Sequence, residues 1–290
     1  MAIAFDAFSS GGGTGASPKS WSHNCTGQHR ILIVTLMTQS GSDTITGVTY
    51  NGVSMTAISS TARSSMFYLL NPATGSNTVE VSYSNFSGNG ISGCSNSYTG
   101  VAGIGASGVS SPAGNPQTQA VTTTSDNSWL VGMTGVWDDE TAFGAGSGTT
   151  VRGSSAHGGA QLVTSHDSNG AKSPTGSYSL NTTGTILGSG ARMIVAEITL
   201  GPVDYSVSFT HGAFTLTGQV LIFLKGFYIA IAQGVFSLTG QALSPILNLY
   251  TRVTNRVKNT TTVTNRNKTV SASVTNKVKN VTTVTNRQKT

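Results

Sequence analysis

Short apolar runs separated by turn signals recur along residues 4–201, at 31–37, 48–50, 66–70, 79–83, 129–133 and 193–200. Runs this short and this regularly broken suit strands that cross a core once and turn back, so they predict a β-sandwich or jelly roll. Two turns are specific. Tyr50-Asn51-Gly52-Val53 sets Asn-Gly between β formers, a dipeptide that accepts the left-handed backbone of a tight hairpin. Asn71-Pro72-Ala73-Thr74-Gly75 joins the run 66–70 to the alternating segment 78–83 and reads as a second strand pair. The Gly-, Ser- and Pro-rich stretches 100–115 and 143–159 read as loops, where a sandwich presents a binding surface.

Composition agrees with this reading. Charged residues make up 9% of the chain, against about 25% in ordinary soluble domains, and 36 glycines share the polar quota with Ser, Thr and Asn. Neutral hydroxyl and amide surface with Gly-rich corners suits short strands, whereas sustained helices need more Ala, Glu, Lys and Leu. A helical enzyme is therefore disfavoured. The length of 290 residues allows one large or two modest domains. No secretory signal is visible in the first residues, and the apolar stretch 220–231, interrupted by Lys225 and Gly226, is too short to span a bilayer.

Beyond Pro202 the pattern changes to repeats. GAFTLTGQ at 212–219 returns as GVFSLTGQ at 234–241, 22 residues on, and VTNRVKNTTTVTNRNKT at 253–269 returns as VTNKVKNVTTVTNRQKT at 274–290, 21 residues on. Two nearly equal periods imply about four units, each long enough for two strands, stacked or intertwined as a β stem. The last forty residues hold nine basic and no acidic residues, while the rest holds seven basic and ten acidic, so the tail carries the whole positive charge. The basic residues keep one parity in each tail unit, even in the first and odd in the second, against Val253, Asn255, Val257, Val263 and Asn265 in the first and Val274, Asn276, Val278 and Val284 in the second, as alternating strand faces require. The domain organisation is thus a β-sandwich head at 1–201, an apolar module at 202–250 and a basic tail at 251–290.

Candidate chemistry is sparse: there is no phosphate-binding Gly loop with its Lys, no HExxH, no nucleophile elbow and no CxxC. Trp137-Asp138-Asp139-Glu140 is the most enzyme-like cluster, with carboxylates for glycoside cleavage or a cation, and an acidic turn is its bland reading. His23, Cys25 and His29 alternate at a strand entrance but lack a second ligand pair, so no metal or other cofactor is expected. Cys25 and Cys94 are equally consistent with free buried thiols and with one disulfide. Trp21, Tyr68, Tyr98 and Trp129 are core aromatics first and sugar-stacking platforms second. The tail has no aromatic residue, so it lacks the stacking usual in single-strand binders, and nucleic acid is not the expected partner.

The segments VTYNGVSMT, MFYLLNPATGSNTVEV and SYTGV, followed by the GxFxLTGQ module, resemble bacteriophage virion proteins, and related heads occur in bacterial surface proteins. The resemblance implies a capsid decoration, collar or neck fibre, or tail appendage that is trimeric and located in the virion. The resulting expectation is an all-β, non-enzymatic structural protein whose stem binds sister chains and other virion proteins. Phe214, Leu216, Phe223, Phe227, Phe236 and Leu238 are expected to form the interface between chains, since they offer more apolar surface than a short segment hides alone. Arg256, Lys258, Arg266, Lys268, Lys277, Lys279, Arg287 and Lys289 are expected to dock onto an acidic partner. The alternative is a surface protein that binds or degrades carbohydrate, with host glycans as its partner.

Overall fold

The computed structural model describes residues 2–61, 63–84, 90–137, 142–157, 161–186 and 191–201 with their side chains, and beyond them the backbone of eight short strands between 206 and 286. Among these residues every regular element is a strand, as the sequence led us to expect, and no helix is long and apolar enough to cross a membrane. The chain divides into two compact units, Met1–Gly201 and Pro202–Thr290.

The first unit is not one sandwich but two of the same plan. In the first, β1 (Ala4–Gly13), β3 (Ile31–Thr38), β6 (Thr56–Ser60), β7 (Ser64–Leu70) and β9 (Ile91–Thr99) form a five-stranded sheet A in the order β1-β9-β3-β7-β6. Against it lies sheet B, in the order β2-β8-β4-β5, from β2 (Lys19–Cys25), β4 (Thr44–Tyr50), β5 (Val53–Ser54) and β8 (Gly75–Ser84). In the second, β10 (Val101–Ser110), β12 (Trp129–Trp137), β14 (Thr150–His157), β15 (Gln161–Asp167) and β17 (Ala191–Leu200) form sheet C in the order β10-β17-β12-β15-β14. Its outer sheet D runs β11-β16-β13, from β11 (Gln117–Thr122), β13 (Gly144–Ala145) and β16 (Ser177–Thr183).

Laid over one another, the inner sheets coincide strand for strand and sheet D matches all of sheet B but β5, and turn geometry repeats with them. His29 and Asn127 both take positive φ 98 positions apart, as do Asn71 and Asn169. The sequence keeps Pro18 as Pro116, Thr26 as Thr124 and Thr74-Gly75-Ser76 as Thr175-Gly176-Ser177. Sheets A and C then pack face to face: β3 lies across from its own equivalent β12, while β9 lies across from β15 and the exchanged pair, β17, across from β7. That is the pattern of a two-fold axis between the halves.

A four-layer stack B-A-C-D explains the apolar runs. All eight residues of β3 are buried because both faces are covered. Ile31, Ile33 and Met37 enter the central layer with Trp129, Val131 and Met133 of β12, while Leu32, Val34 and Leu36 face sheet B. Strands buried on both faces read as continuous apolar runs rather than alternating ones.

Several expectations change. Asn51 (φ 49) and Gly52 (φ 75) do close the β4–β5 hairpin, pairing Tyr50 with Val53. The 71–75 turn instead carries the chain from sheet A to sheet B, so β7 and β8 are not partners. The expected loops 100–115 and 143–159 contain the edge strands β10 and β14. Their glycines serve close packing: a Cβ on Gly105 would fall 2.1 Å from Glu197 Oε2, and one on Gly153 would fall 2.3 Å from the Phe8 ring. Small residues there allow a side chain or a second sheet to approach the backbone.

In the second unit eight strands pair in parallel. β18 (Ser206–Phe209) pairs with β20 (Tyr228–Ile231), and β19 (Ala213–Gly218) with β21 (Val235–Gly240), setting Phe214 beside Phe236 and Leu216 beside Leu238. β22 (Thr251–Asn255) pairs with β24 (Ala272–Asn276), and β23 (Thr261–Asn265) with both β21 and β25 (Thr282–Asn286). Ala213 opposite Val235 is an offset of 22, and Thr261 opposite Thr282 one of 21, the two sequence periods.

Candidate functional site

The densest chemistry in the head is a buried network at one end of the first sandwich. β1 supplies Asp6, β2 supplies His23, and β9 supplies Ser95 and Ser97 on the face toward sheet B. Ser97 Oγ donates to Asp6 Oδ2 at 2.7 Å, and Thr26 donates to the same carboxylate through its backbone N at 2.8 Å and through its hydroxyl. Because the Ser97 proton is committed to Asp6, its oxygen accepts from His23 Nε2 at 3.1 Å. That leaves His23 Nδ1 to accept from Ser95 at 2.9 Å, and Ser95 in turn accepts from Trp21 Nε1 at 2.9 Å.

Ser, His and Asp are all present, but their wiring differs from that of a hydrolase. A catalytic imidazole takes the serine proton while the carboxylate steadies its far nitrogen; here the carboxylate holds the serine. Burial pushes His23 down to about 4 despite the pull of Asp6. Burial pushes the Asp6 carboxyl up, and the Thr26 and Ser97 hydrogen bonds with the nearby His23 more than offset this, leaving it below its ordinary value. His23 itself is 1% exposed, and Asp6 beside it is half-buried.

The second sandwich places a carboxylate at the same spot from another strand. Glu197 stands 100 positions after Ser97, and it accepts from Thr124 N at 2.9 Å, Thr124 Oγ1 at 2.8 Å, Ser125 N at 3.0 Å and Ala106 N at 3.0 Å. Thr124 is the equivalent of Thr26. Both carboxylates therefore tie the turn before the central strand to the inner sheet.

A third group joins the halves. Arg152 of β14 reaches Asp167 of β15 with Nε at 2.6 Å and Nη2 at 2.9 Å, and Nη2 also meets Asn169 Oδ1 at 2.9 Å. From the first sandwich, Tyr98 donates its hydroxyl to Asp167 Oδ2 at 2.9 Å, and the Phe5 ring lies 4.2 Å from the guanidinium. Burial and the Asp167 charge push the Tyr98 hydroxyl well above its ordinary value. The Asp167 side chain is fully buried, and a fork of this kind holds a carboxylate in one orientation.

The residues singled out from sequence are mostly kept apart. Cys25 and Cys94 are free and buried, Cys25 between sheets A and B and Cys94 between A and C, so the sheet itself separates them. His29 lies in a turn away from the His23 network, and no group of three metal-binding side chains occurs among the described residues. Tyr98 and Trp129 stack edge-on in the central layer at 6.3 Å, and Tyr68 packs against that layer. Trp21 is pressed onto the backbone, with a Cβ on Gly11 falling 2.6 Å from its ring. All four are packing groups.

Asp138, Asp139 and Glu140 lie outside the described residues, as do Phe223, Phe227 and all eight basic docking residues. Of the expected interface residues, Phe214, Leu216, Phe236 and Leu238 fall on β19 and β21 in register. Sequence reading missed Arg152 with Asp167, which meet across a hairpin whose first strand has no hydrophobic period, and Glu197 with Thr124, which lie 73 residues apart. No family model matches the chain, and no curated protein matches it.

Proposed function

We propose that the chain is a non-enzymatic structural protein of a virus particle, with its two-sandwich head as a rigid module and its C-terminal repeats as the element that joins sister chains and docks to the particle. One observation carries this reading: among the described residues, the His, Ser and carboxylate groups that catalysis would recruit are engaged with one another in holding strands together. Asp6, His23 and Ser97 close on each other, and Asp167 is enclosed by Arg152, Tyr98 and Asn169. A scaffold needs such closure, whereas an active site keeps a group exposed to its substrate.

In this role Phe214, Leu216, Phe236 and Leu238, with Phe223 and Phe227, supply apolar contact between chains of a homotrimer. The basic residues Arg256, Lys258, Arg266, Lys268, Lys277, Lys279, Arg287 and Lys289 meet an acidic surface of another virion protein. The sequence resemblance to phage virion proteins supports the same assignment. Immunogold labelling of purified particles with an antibody to residues 1–201 tests it. Gold on intact particles, with no reducing sugar released from bacterial polysaccharide, is the expected result. Unlabelled particles, or sugar release lost on Asp138→Ala with Glu140→Ala, would overturn it.

A further inference from the structure

The second sandwich holds its outer sheet across a polar seam that parts its apolar packing in two, whereas His23, Ser95 and Ser97 in the first leave one continuous apolar cluster. His166 of β15 lies between sheets C and D, 1% exposed, with Nε2 at 3.0 Å from Thr134 Oγ1 of β12. Thr134 meets Thr182 Oγ1 of β16 at 3.0 Å, and Thr182 donates to Gln117 Oε1 of β11 at 3.4 Å. The chain of contacts thus crosses the layer, yet His166 Nδ1 has no partner. The seam divides the apolar packing into one cluster around Leu130 and Leu180 and another around Phe143 and Leu162.

No charge near the imidazole offsets a proton on it. Along β15, Asp167 faces the central layer and is paired there with Arg152 of β14. Glu197 of β17 shares the inner face, but Thr124, Ser125 and Ala106 take its oxygens. β11, β12 and β16 bring Gln117, Thr134 and Thr182, and Tyr178 of β16, with Lys172 by its ring, gives its hydroxyl to Pro174 O.

We propose that sheet D is an acid-released flap: uptake of a proton at His166 Nδ1 parts β11, β16 and β13 from sheet C. A buried cation without a partner is costly, and opening lets water solvate it. Burial already pushes this imidazole from 6.5 down to about 3, against a smaller upward pull from the Met133 backbone. A folded value below the open one means the stability is complete above pH 6.5 and drains as pH falls toward 3. Within that window each pH unit favours the open form about tenfold. His23 in the first sandwich, with partners on both nitrogens and Asp6 close by, is itself held at about 4, so its drain ends near pH 4 and that of His166 continues toward 3.

Hydrogen exchange on the full chain between pH 7 and pH 4, corrected for the intrinsic rate at each pH, reads this directly. Opening of β11 and β16 should rise about tenfold per unit below pH 6.5, and that rise should depend on the side chain at 166. His166→Phe installs what the first sandwich carries at Phe67 and should flatten the rise to under about twofold per unit. His166→Gln, also neutral, serves if the phenylalanine does not fit against Gly132. An unchanged slope at β11 and β16 in the folded variant would overturn the proposal.

Discussion

The first sandwich closes on one cluster of twelve buried apolar residues, whereas the second closes on clusters of five and four. Equivalent positions show the exchange: Leu36 becomes Thr134, Phe67 becomes His166, and Val81 becomes Thr182. Strand order, turns and the carboxylate on the Thr26 or Thr124 turn survive it. Backbone pairing and a few left-handed turn residues thus define the plan, and the interior tolerates polar groups where they find partners. Within the seam, the Nδ1 of His166 is the atom that fails that condition.

The largest effect should come from the contact shared by both halves. Arg152→Ala leaves the Asp167 carboxylate buried without its cation and should cost about 3–5 kcal/mol in denaturant unfolding. Adding Asp167→Leu should recover much of it, and a loss that persists would place the damage in the Phe5 contact instead. Next comes the contrast between cores. Leu36→Ala should cost about 2–5 kcal/mol through a cavity, against about 1 kcal/mol for Thr134→Ala, which removes hydrogen bonds. Equal costs would break the distinction between the two interiors.

Smaller effects follow from the paired carboxylates. Asp6→Asn and Glu197→Gln should each cost about 1–3 kcal/mol at neutral pH. Hydrogen bonds hold both carboxyls below their ordinary values against the upward push of burial. Their stabilisation is therefore complete above the ordinary carboxylate range and lost as pH falls through it, so either variant should flatten the acid limb of a stability profile. Smallest of all, a reducing agent should leave the melting temperature unchanged, because the two thiols lie on opposite faces of sheet A. A drop would reveal a bridge.

Much of the inner framework was legible. The runs at 31–37, 66–70, 129–133 and 193–200 became β3, β7, β12 and β17 because strands covered on both faces must be apolar throughout. The duplication was not legible, since the halves keep little beyond Pro18, Thr26 and the Thr-Gly-Ser turn, while Ile31 becomes Trp129 and Leu36 becomes Thr134. β10 and β14 were hidden because Gly and Ser chosen for close approach carry no hydrophobic period. The buried networks were hidden for a related reason: Asp6 and Ser97 lie 91 residues apart and meet only through sheet register.

The assembly role is tested most directly by cutting the chain after Gly201 and sedimenting both forms with virus particles through a density gradient. The head contains all three buried polar networks and both sandwich cores, so it should unfold cooperatively on its own. It should nevertheless remain at the top of the gradient while the full chain bands with the particles. A head that bands as well as the full chain would contradict docking by the C-terminal repeats, and a full chain that never bands would contradict the structural role itself.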